Sequence, residues 1–404
     1  MQGVAAGRGA CVLVEGEPGT GRSAVLAALV AQAEGLGLRV RSGSADGLGT
    51  SLPLRAALDC LHPDGGSVRE SVTALLLGAA GRPGGAGGAA GVLAALDLMV
   101  AEVRRWCAEG PVVVALDDVH AADPASLLLW RRLAGAGTAA GLPLLLVAAR
   151  RADVRRPEVD RLCRGLAERG ARTLRLDPLD EDEAVAALRE LLGAAPGPRL
   201  REAAALAGGN PRWLRELALH WSARGLLEVG GGTAELTLRP AELPAPPAAL
   251  ARSALGFLAG PAYGALRHAA LLGEEFTVRE LGLVRARPPR ELQTDLAEPL
   301  AAGLLHDTGR AFRFRHPALR LALAADVPGA LRTALLRDAA HALSEAGEAA
   351  DRVAELLHRA DHSPAGAAPA PLPGCADDPA AVGAPGGHDR RSGPGGGGVE
   401  LVGV

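Results

Sequence analysis

The chain has 404 residues, of which 48% are hydrophobic, and a net charge of −3. This length allows about two or three domains with sizeable cores, and the near-neutral charge excludes a general attraction to nucleic acid or to an anionic membrane. Aromatic residues make up only 2% of the chain and lysine is absent. Leu, Ala and Val must therefore fill the core, while arginine and histidine supply the positive charge.

The cysteines and the hydropathy of the chain favour a cytoplasmic protein. The five cysteines are scattered, and no pair has the spacing of a metal site or of a disulfide framework. The N-terminus lacks the charged and apolar regions of a signal peptide. No segment approaches the roughly 18 uninterrupted apolar residues of a membrane helix. We therefore expect no membrane association.

The first part of the chain, residues 11–177, alternates short apolar runs with helical patterns. This alternation predicts an α/β fold in which helices flank a parallel sheet with right-handed crossovers. The Gly-rich segment 78–91 predicts a mobile loop. Helices are predicted at 23–34 and 92–109, and buried strands at 11–15, 38–42, 112–117, 143–149 and 172–177.

From Asp180 the pattern becomes helical. Asp180 and Glu183 have the spacing of a capping box, in which each side chain accepts a hydrogen bond from the other residue's backbone N–H. A later helix is expected to stop at Gly208 and Gly209, after which Pro211 can occupy the first position of another helix.

A Gly- and Pro-rich joint at 230–249 precedes three short helical patterns. Residues 304–316, LLHDTGRAFRFRH, then alternate with a period of two around a D-T-G turn, which is typical of a β-hairpin. Three helices and a hairpin form a winged-helix arrangement. Further helices are expected to about residue 360, and the Ala/Pro/Gly-rich tail 361–404 is expected to be disordered.

A Gly-rich loop with sequence GEPGTGRS, residues 16–23, follows the first predicted strand. It is similar to the phosphate-binding pattern G-x-x-x-x-G-K-[ST], in which backbone N–H groups and the next helix's N-terminus face phosphate. Arginine stands in the lysine position; it keeps the charge but is bulkier and planar. A plain strand–helix turn is the alternative. The expected nucleotide-binding residues are Gly16, Gly19, Thr20, Gly21, Arg22 and Ser23.

Two carboxylates close another predicted strand, in the segment PVVVALDDVHAADP at 111–124. At a strand end beside the loop, Asp117 can hold Mg²⁺ together with the Ser23 hydroxyl. Asp118 can orient the attacking water or accept its proton. A turn or a helix cap is the alternative for this pair.

The strand predicted at 143–149 is followed by Arg150 and Arg151. We assign Arg150 as the guanidinium that could sense a γ-phosphate. The alternative is that a charged residue simply marks the point where a buried strand meets solvent.

The segments VLVEGEPGTGRS, VVVALDDVHAADP, LPLLLVAAR, LDPLDEDEA, LAGGNPRWLREL and FRFRHPALR occur in this order within residues 10–360. The ordered set resembles the N-terminal ATPase region of large ATP-binding LuxR-type transcriptional regulators, which belong to the STAND branch of AAA+-like P-loop NTPases. The resemblance implies that nucleotide sits between a P-loop domain, a helical lid and a winged helix. It further implies that ATP favours an open, oligomerising form and ADP a closed form.

By this resemblance Pro211 would pack on the adenine and His316 would reach the ADP β-phosphate. The alternatives are a simple helix start for Pro211 and a capping or packed histidine for His316. The expected organisation is a P-loop NTPase domain at 1–178, a helical lid at 179–229, a linker at 230–249, a winged-helix domain at 250–326, a helical extension at 327–360 and a disordered tail at 361–404.

The sequence departs from the family pattern in several places. Arg22 replaces lysine, Ala121 stands where the family usually has Trp, and the leading GRE segment does not precede Met1. Neither a helical-repeat sensor nor a C-terminal helix-turn-helix follows, so we expect a truncated or frame-shifted gene product.

The expected function is an ATP- and ADP-binding signalling switch with at most slow, Mg²⁺-dependent hydrolysis and possible homo-oligomers in the ATP state. One alternative is a DNA-binding regulator that uses Arg313 and Arg315 in the wing. The acidic residues Glu291, Asp295 and Glu298 on the would-be recognition helix oppose it, because they would meet phosphates unfavourably. The other alternative is a non-functional remnant that folds poorly.

Overall fold

The computed structural model describes residues 2–5, 7–45, 52–62, 64–80, 85–139, 141–154, 156–347 and 349–361. The tail predicted to be disordered lies outside these ranges except for its first residue, Asp361, which ends the last helix.

Five parallel strands form the central sheet, in the spatial order β2-β3-β4-β1-β5. All five predicted strands are present, and their ends differ from the predicted ones by no more than two residues. Buried apolar runs of this length are typical of parallel strands covered on both faces. The strands are β1 Ala10–Gly16, β2 Arg39–Ser44, β3 Val112–Asp117, β4 Leu144–Arg151 and β5 Arg172–Leu176.

Helices cover both faces of the sheet. On one face α2 packs through Leu26 and Ala33 against a cluster that includes Val14 and Val147. On the other face α3–α7 pack on the alternate strand residues, with Trp130 fully buried among them. The helices are α1 Gln2–Ala5, α2 Arg22–Gly35, α3 Arg55–Leu61, α4 Ser67–Ala80, α5 Gly85–Glu109, α6 Pro124–Ala139 and α7 Pro157–Ala167.

The Gly-rich segment 78–91 is mostly helical rather than a loop. It contains the end of α4 and the start of α5, while residues 81–84 lie outside the described part of the chain. Glycine has a low helix propensity, so its abundance favoured the loop interpretation. The contact between α4 and α5 stabilises both helices.

The second half of the chain is mainly helical, with two small sheets. The helices are α8 Glu181–Leu192, α9 Pro198–Ala204, α10 Pro211–Ala223, α11 Ala248–Ala254, α12 Gly260–Leu272, α13 Val278–Arg285, α14 Pro289–Ala301, α15 Pro317–Ala325, α16 Gly329–Glu345 and α17 Ala350–Asp361. The strands are β6 Ala195–Pro196, β7 Leu227–Gly230, β8 Thr233–Leu236, β9 Glu275–Phe276, β10 Leu305–Asp307 and β11 Phe312–Phe314.

Several local predictions are confirmed in this half. Asp180 and Glu183 form the capping box of α8, and Pro211 occupies the first turn of α10. The predicted hairpin is present as the antiparallel pair β10–β11, to which β9 adds a third strand. The Gly- and Pro-rich segment 230–249 is more ordered than a simple joint, because β8 lies within it and pairs with β7.

A single hydrophobic core runs through this second half. Buried side chains of every helix from α8 to α17 belong to the same cluster, which includes Trp221 and Phe314. These helices therefore pack as one body, which places the turns between them in fixed positions beside the sheet. None of the helices in the described ranges is long and apolar enough to cross a lipid bilayer.

Candidate functional site

The loop between β1 and α2 lies at the carboxyl edge of the central sheet. Gly19 has φ +87° and Gly21 has φ +91°, values that L side chains rarely adopt. A Cβ on Gly19 would also lie 2.6 Å from the Asn210 Oδ1 atom. The Thr20 hydroxyl donates to the Glu17 carbonyl at 2.9 Å, so this side chain holds the loop together. Alternating backbone directions of this kind form an anion-binding concavity.

Ser23 and Asp117 meet at the end of the loop. The Ser23 hydroxyl, in the first turn of α2, donates to Oδ2 of Asp117 at the end of β3, at 2.5 Å. A hydroxyl and one carboxylate fit Mg²⁺, which takes few protein ligands and completes its shell with water and phosphate. No group of three or more His, Cys, Asp or Glu side chains suited to a metal occurs within the described ranges. The donor set thus suits a phosphate-bound magnesium better than a dedicated metal centre.

The Arg22 side chain folds back into the loop. Its Nη1 atom donates to the Gly16 carbonyl at 2.6 Å and to the Glu17 carbonyl at 3.3 Å, and its Nη2 atom lies 3.3 Å from Asp118 Oδ1. Arg22 Nε is buried and has no hydrogen-bond partner in the described part of the chain. Since guanidinium carries five N–H donors, Arg22 can keep the loop contacts and still offer N–H groups to phosphate.

Asp118 follows β3 in a left-handed conformation, with φ +48°. Burial raises the pKa of Asp118, and the neighbouring charge of Asp117 raises it further, while Arg22 and Arg151 lower it. A non-glycine residue in this backbone region costs about 1–3 kcal/mol and needs support from its surroundings. Its carboxylate is thereby directed toward Arg22 and the loop.

His120 lies next to this carboxylate and was not singled out from the sequence. Its Nδ1 atom accepts a hydrogen bond from the Arg151 backbone N–H at 3.3 Å and lies 3.8 Å from Asp118 Oδ1. Burial and the positive charges of Arg151 and Arg22 lower the pKa of His120 to about 4. His120 is therefore neutral at pH 7, with its proton on Nε2.

The two arginines that end β4 point to opposite faces of the sheet. Successive strand residues alternate between faces, and Arg150 falls on the face of α3–α7. Arg150 pairs there with Glu15 at 2.7 Å and with Asp160 at 3.3 Å. The structure therefore directs Arg150 away from the loop, in contrast to the role expected from the sequence.

Arg151 falls on the face of α2, which is also the face of the loop. Its guanidinium pairs with Asp153 at 2.5 Å and stacks over the Phe257 ring. The charge of Arg151 acts on both Arg22 and Asp118. Only the strand register distinguishes the two arginines, so the sequence offered no local signal for preferring Arg151.

Pro211 begins α10, and the residue before it contacts the loop directly. Asn210 is 2% exposed; its Oδ1 accepts from the backbone N–H groups of Arg212 and Trp213, which caps the helix. Its Nδ2 donates to the Pro18 carbonyl at 2.9 Å. An Asn just before an N1 proline is a typical N-cap, so the sequence carried a signal for the cap but none for the loop contact.

His316 packs against the turn that precedes α10. It is 3% exposed, and its Nδ1 lies 3.2 Å from the Ala207 carbonyl oxygen. Burial, helped by the charge of Arg315, lowers the pKa of His316 to about 4. The preceding residue, Arg315, reaches the loop itself and pairs with Glu17.

Known proteins are similar to this chain at the level of the fold. Residues 1–147 match the family model described as AAA ATPase domain. No curated protein matches the chain. Among solved structures, a Walker-type ATPase of Pyrococcus abyssi superposes with a TM-score of 0.50 and 16% identity, over 78% of this chain and 90% of that one. The fold is that of a P-loop NTPase.

Two further solved structures have weaker similarity. The ORC2 protein of Aeropyrum pernix, in ADPNP–ADP complexes, gives a TM-score of 0.44 with 15% identity over 82% of this chain and 91% of that one. A STAND protein with a tetratricopeptide repeat sensor from Pyrococcus horikoshii gives 0.27 with 11% identity over 89% of this chain. This chain spans 47% of the length of that STAND protein.

Proposed function

We propose that the chain is a nucleotide-binding signalling ATPase that takes ATP and ADP with Mg²⁺ and hydrolyses ATP slowly. The observation that carries the proposal is the contact of Ser23 with Asp117 at 2.5 Å, at the end of a loop in which Gly19 and Gly21 have positive φ. The match of the first 147 residues to an AAA ATPase domain supports it.

Each residue of the site has a role in this proposal. The backbone N–H groups of residues 19–23 and the N-terminus of α2 would bind the phosphates, and Ser23 and Asp117 would hold the magnesium. Bound nucleotide supplies the phosphoryl group that is transferred to water. Asp118 would orient that water, but its pairing with Arg22 at 3.3 Å restrains it, which favours slow hydrolysis. In this proposal Arg151 would take the phosphate-sensing role that the sequence suggested for Arg150.

We further propose that the second half of the chain reports the state of the nucleotide. In this proposal residues 179–229 act as a lid and residues 250–326 as a winged helix, with Pro211 and His316 on the nucleotide side. ADP would favour a closed form and ATP an open, oligomerising one, as in LuxR-type regulators. Direct contacts of Asn210 and Arg315 with the loop support this coupling.

Direct DNA binding by the wing is a weaker candidate. Arg313 pairs with Glu275 at 2.8 Å and Arg315 pairs with Glu17, so both wing arginines already have carboxylate partners. Asp295, expected as an exposed acidic residue on the recognition helix, is 6% exposed and pairs with arginines of the same region. Because Asp295 is buried, only two of the three acidic residues would repel DNA phosphates. The two wing arginines are paired with carboxylates, however, so the wing lacks the positive surface that DNA binding needs.

A titration with a fluorescent ATP analogue in Mg²⁺ tests the proposed function. Ser23→Ala should weaken binding about tenfold, corresponding to about 1.4 kcal/mol, because one metal ligand is lost. Ser71→Ala is a matched control, since this exposed serine on α4 donates to the Ser67 carbonyl of its own helix. Absence of Mg²⁺-dependent binding at millimolar nucleotide would overturn the proposal.

A further inference from the structure

Three consecutive residues of the phosphate loop contact the second half of the chain. Glu17 pairs with Arg315, the Pro18 carbonyl accepts from Asn210 Nδ2 at 2.9 Å, and the Gly19 carbonyl accepts from the Arg212 backbone N–H at 3.2 Å. The last two contacts involve the helix α10 and its cap. The first contact is different, because it joins two charged side chains that are 298 positions apart.

Burial disfavours the charged form of Glu17, and the neighbouring Arg315 partly offsets this effect. The two side chains are 24% and 33% exposed, so the pair is partly shielded from water. Burial raises the pKa of Glu17, with smaller contributions from Asp153 and Asp177, and Arg315 opposes these effects. Separation of the pair would leave a carboxylate facing other carboxylates in a partly buried position, which is costly.

The backbone around Glu17 is also closely packed. A Cβ on Gly303 would lie 2.5 Å from Glu17 Oε1, and Gly303 has φ +67°. The Arg315 backbone N–H donates to the Leu304 carbonyl at 3.1 Å, which fixes the arginine beside this turn. Glu17 therefore fits a preformed recess between the turn at Gly303 and the guanidinium of Arg315.

We infer that the ion pair between Glu17 and Arg315 is a latch, which holds the phosphate loop against the second half of the chain and slows nucleotide exchange. This inference rests on the proposed function, because it concerns the rate at which that same loop takes up and releases nucleotide. Without the latch, the loop is no longer attached to the segment after β11 that carries Arg315 and His316. Nucleotide release then no longer requires the separation of two opposite charges. Loss of one charge-assisted contact should then accelerate release by about tenfold or more.

The chain offers a matched control for the latch. Arg313 lies on β11 two positions before Arg315 and forms its own ion pair, at 2.8 Å, with Glu275. Both partners of that pair are about half exposed. Arg313→Gln therefore removes the same charge from the same part of the fold and leaves the latch in place.

The test measures the dissociation rate of a fluorescent ADP analogue by stopped flow. Glu17→Gln and Arg315→Gln should each release the analogue about tenfold faster than the wild type. Glu17→Arg combined with Arg315→Glu, which restores the pair with reversed charges, should return the rate to within about threefold of the wild type. Arg313→Gln should release at the wild-type rate, and thermal unfolding should show that each variant is folded.

The outcomes separate the latch from the proposed function. Normal release rates in Glu17→Gln and Arg315→Gln, with tight binding retained, overturn the latch and leave the proposed function standing. Equal acceleration by Arg313→Gln also overturns it, since a general loss of charge would then explain the effect. No binding of the analogue to the wild type overturns both. If Arg315→Gln is unfolded, Glu17→Gln carries the test alone and must release the analogue faster than the wild type.

Discussion

The guanidinium carbon of Arg151 lies 3.9 Å from the centre of the Phe257 ring. Arg151 ends β4 of the central sheet, whereas Phe257 lies between α11 and α12 in the second half of the chain. The same guanidinium pairs with Asp153 and lies on the face of the sheet that carries the loop. A phosphate bound at the loop would therefore compete with the Phe257 ring for the Arg151 guanidinium. This stacking contact links the site to the second half of the chain.

Replacement of Phe257 by leucine should destabilise the protein. The stacked guanidinium loses its cation–π contact, which is worth about 0.5–2 kcal/mol depending on desolvation. The measurement is urea unfolding without nucleotide. Phe257→Tyr keeps an aromatic face and should unfold close to the wild type. Equal stability of Phe257→Leu and wild type would show that the stacking contributes nothing.

The two arginines at the end of β4 should have separable roles. Arg151→Gln should weaken ATP binding about tenfold and ADP binding much less, because a charge-assisted contact to a terminal phosphate is lost. Arg150→Gln should leave both affinities unchanged and lower the free energy of unfolding by about 1–3 kcal/mol, since buried Glu15 loses its nearer arginine and keeps only the exposed Arg175 at 3.7 Å. Calorimetric titration and urea unfolding of both variants measure these effects. If Arg150→Gln weakened ATP binding and Arg151→Gln did not, Arg150 would be the residue that senses the phosphate.

Replacement of Arg22 by lysine should accelerate hydrolysis. A lysine at this position carries a compact charge and has no second nitrogen with which to hold Asp118, so that carboxylate is released to orient water. We expect an increase in kcat of about tenfold, corresponding to about 1.4 kcal/mol, with nucleotide affinity little changed. Phosphate release under single-turnover conditions provides the measurement. If Asp118→Asn in the lysine background retains the gain, this explanation is wrong.

His316 should make the stability of the protein depend on pH. Burial lowers its pKa from 6.5 to about 4, so the unfolded chain takes up the proton first as the pH falls. The contribution is complete above about pH 6.5 and is lost as the pH falls toward about 4. Between about pH 7 and pH 5 the loss should be about 2 kcal/mol. Urea unfolding at both pH values measures this loss. In His316→Gln the free energy of unfolding should fall by about 2 kcal/mol less than in the wild type; an equal fall in both proteins would show that His316 is not the group responsible.

Local sequence signals were enough to locate most of the sheet and the loop. Continuous apolar runs marked the five strands because parallel strands are buried on both faces. The loop and the carboxylates after β3 were identified by residue types that suit phosphate and magnesium. The structure brings Ser23 and Asp117 together because parallel strands end at the same edge of the sheet.

Features that depend on register or on distant contacts could not be predicted. The strand register determines which of Arg150 and Arg151 lies on the face of the loop, and a shift of one position would exchange them. The contacts of Glu17 with Arg315 and of Pro18 with Asn210 join residues that are far apart in sequence. The glycine content of 78–91 predicts a loop, but the segment holds the end of α4 and the start of α5, whose contact with each other is not visible in the local sequence.

The Glu17–Arg315 contact has a consequence for biosynthesis. When β1–β5 have emerged from the ribosome, every strand of the central sheet is available for folding, but Asn210 and Arg315 have not yet emerged. During this interval the nascent loop carries an uncompensated carboxylate at Glu17. Since domains form as they leave the exit tunnel at about 5–20 residues per second, the loop reaches its final arrangement only after translation has passed β11.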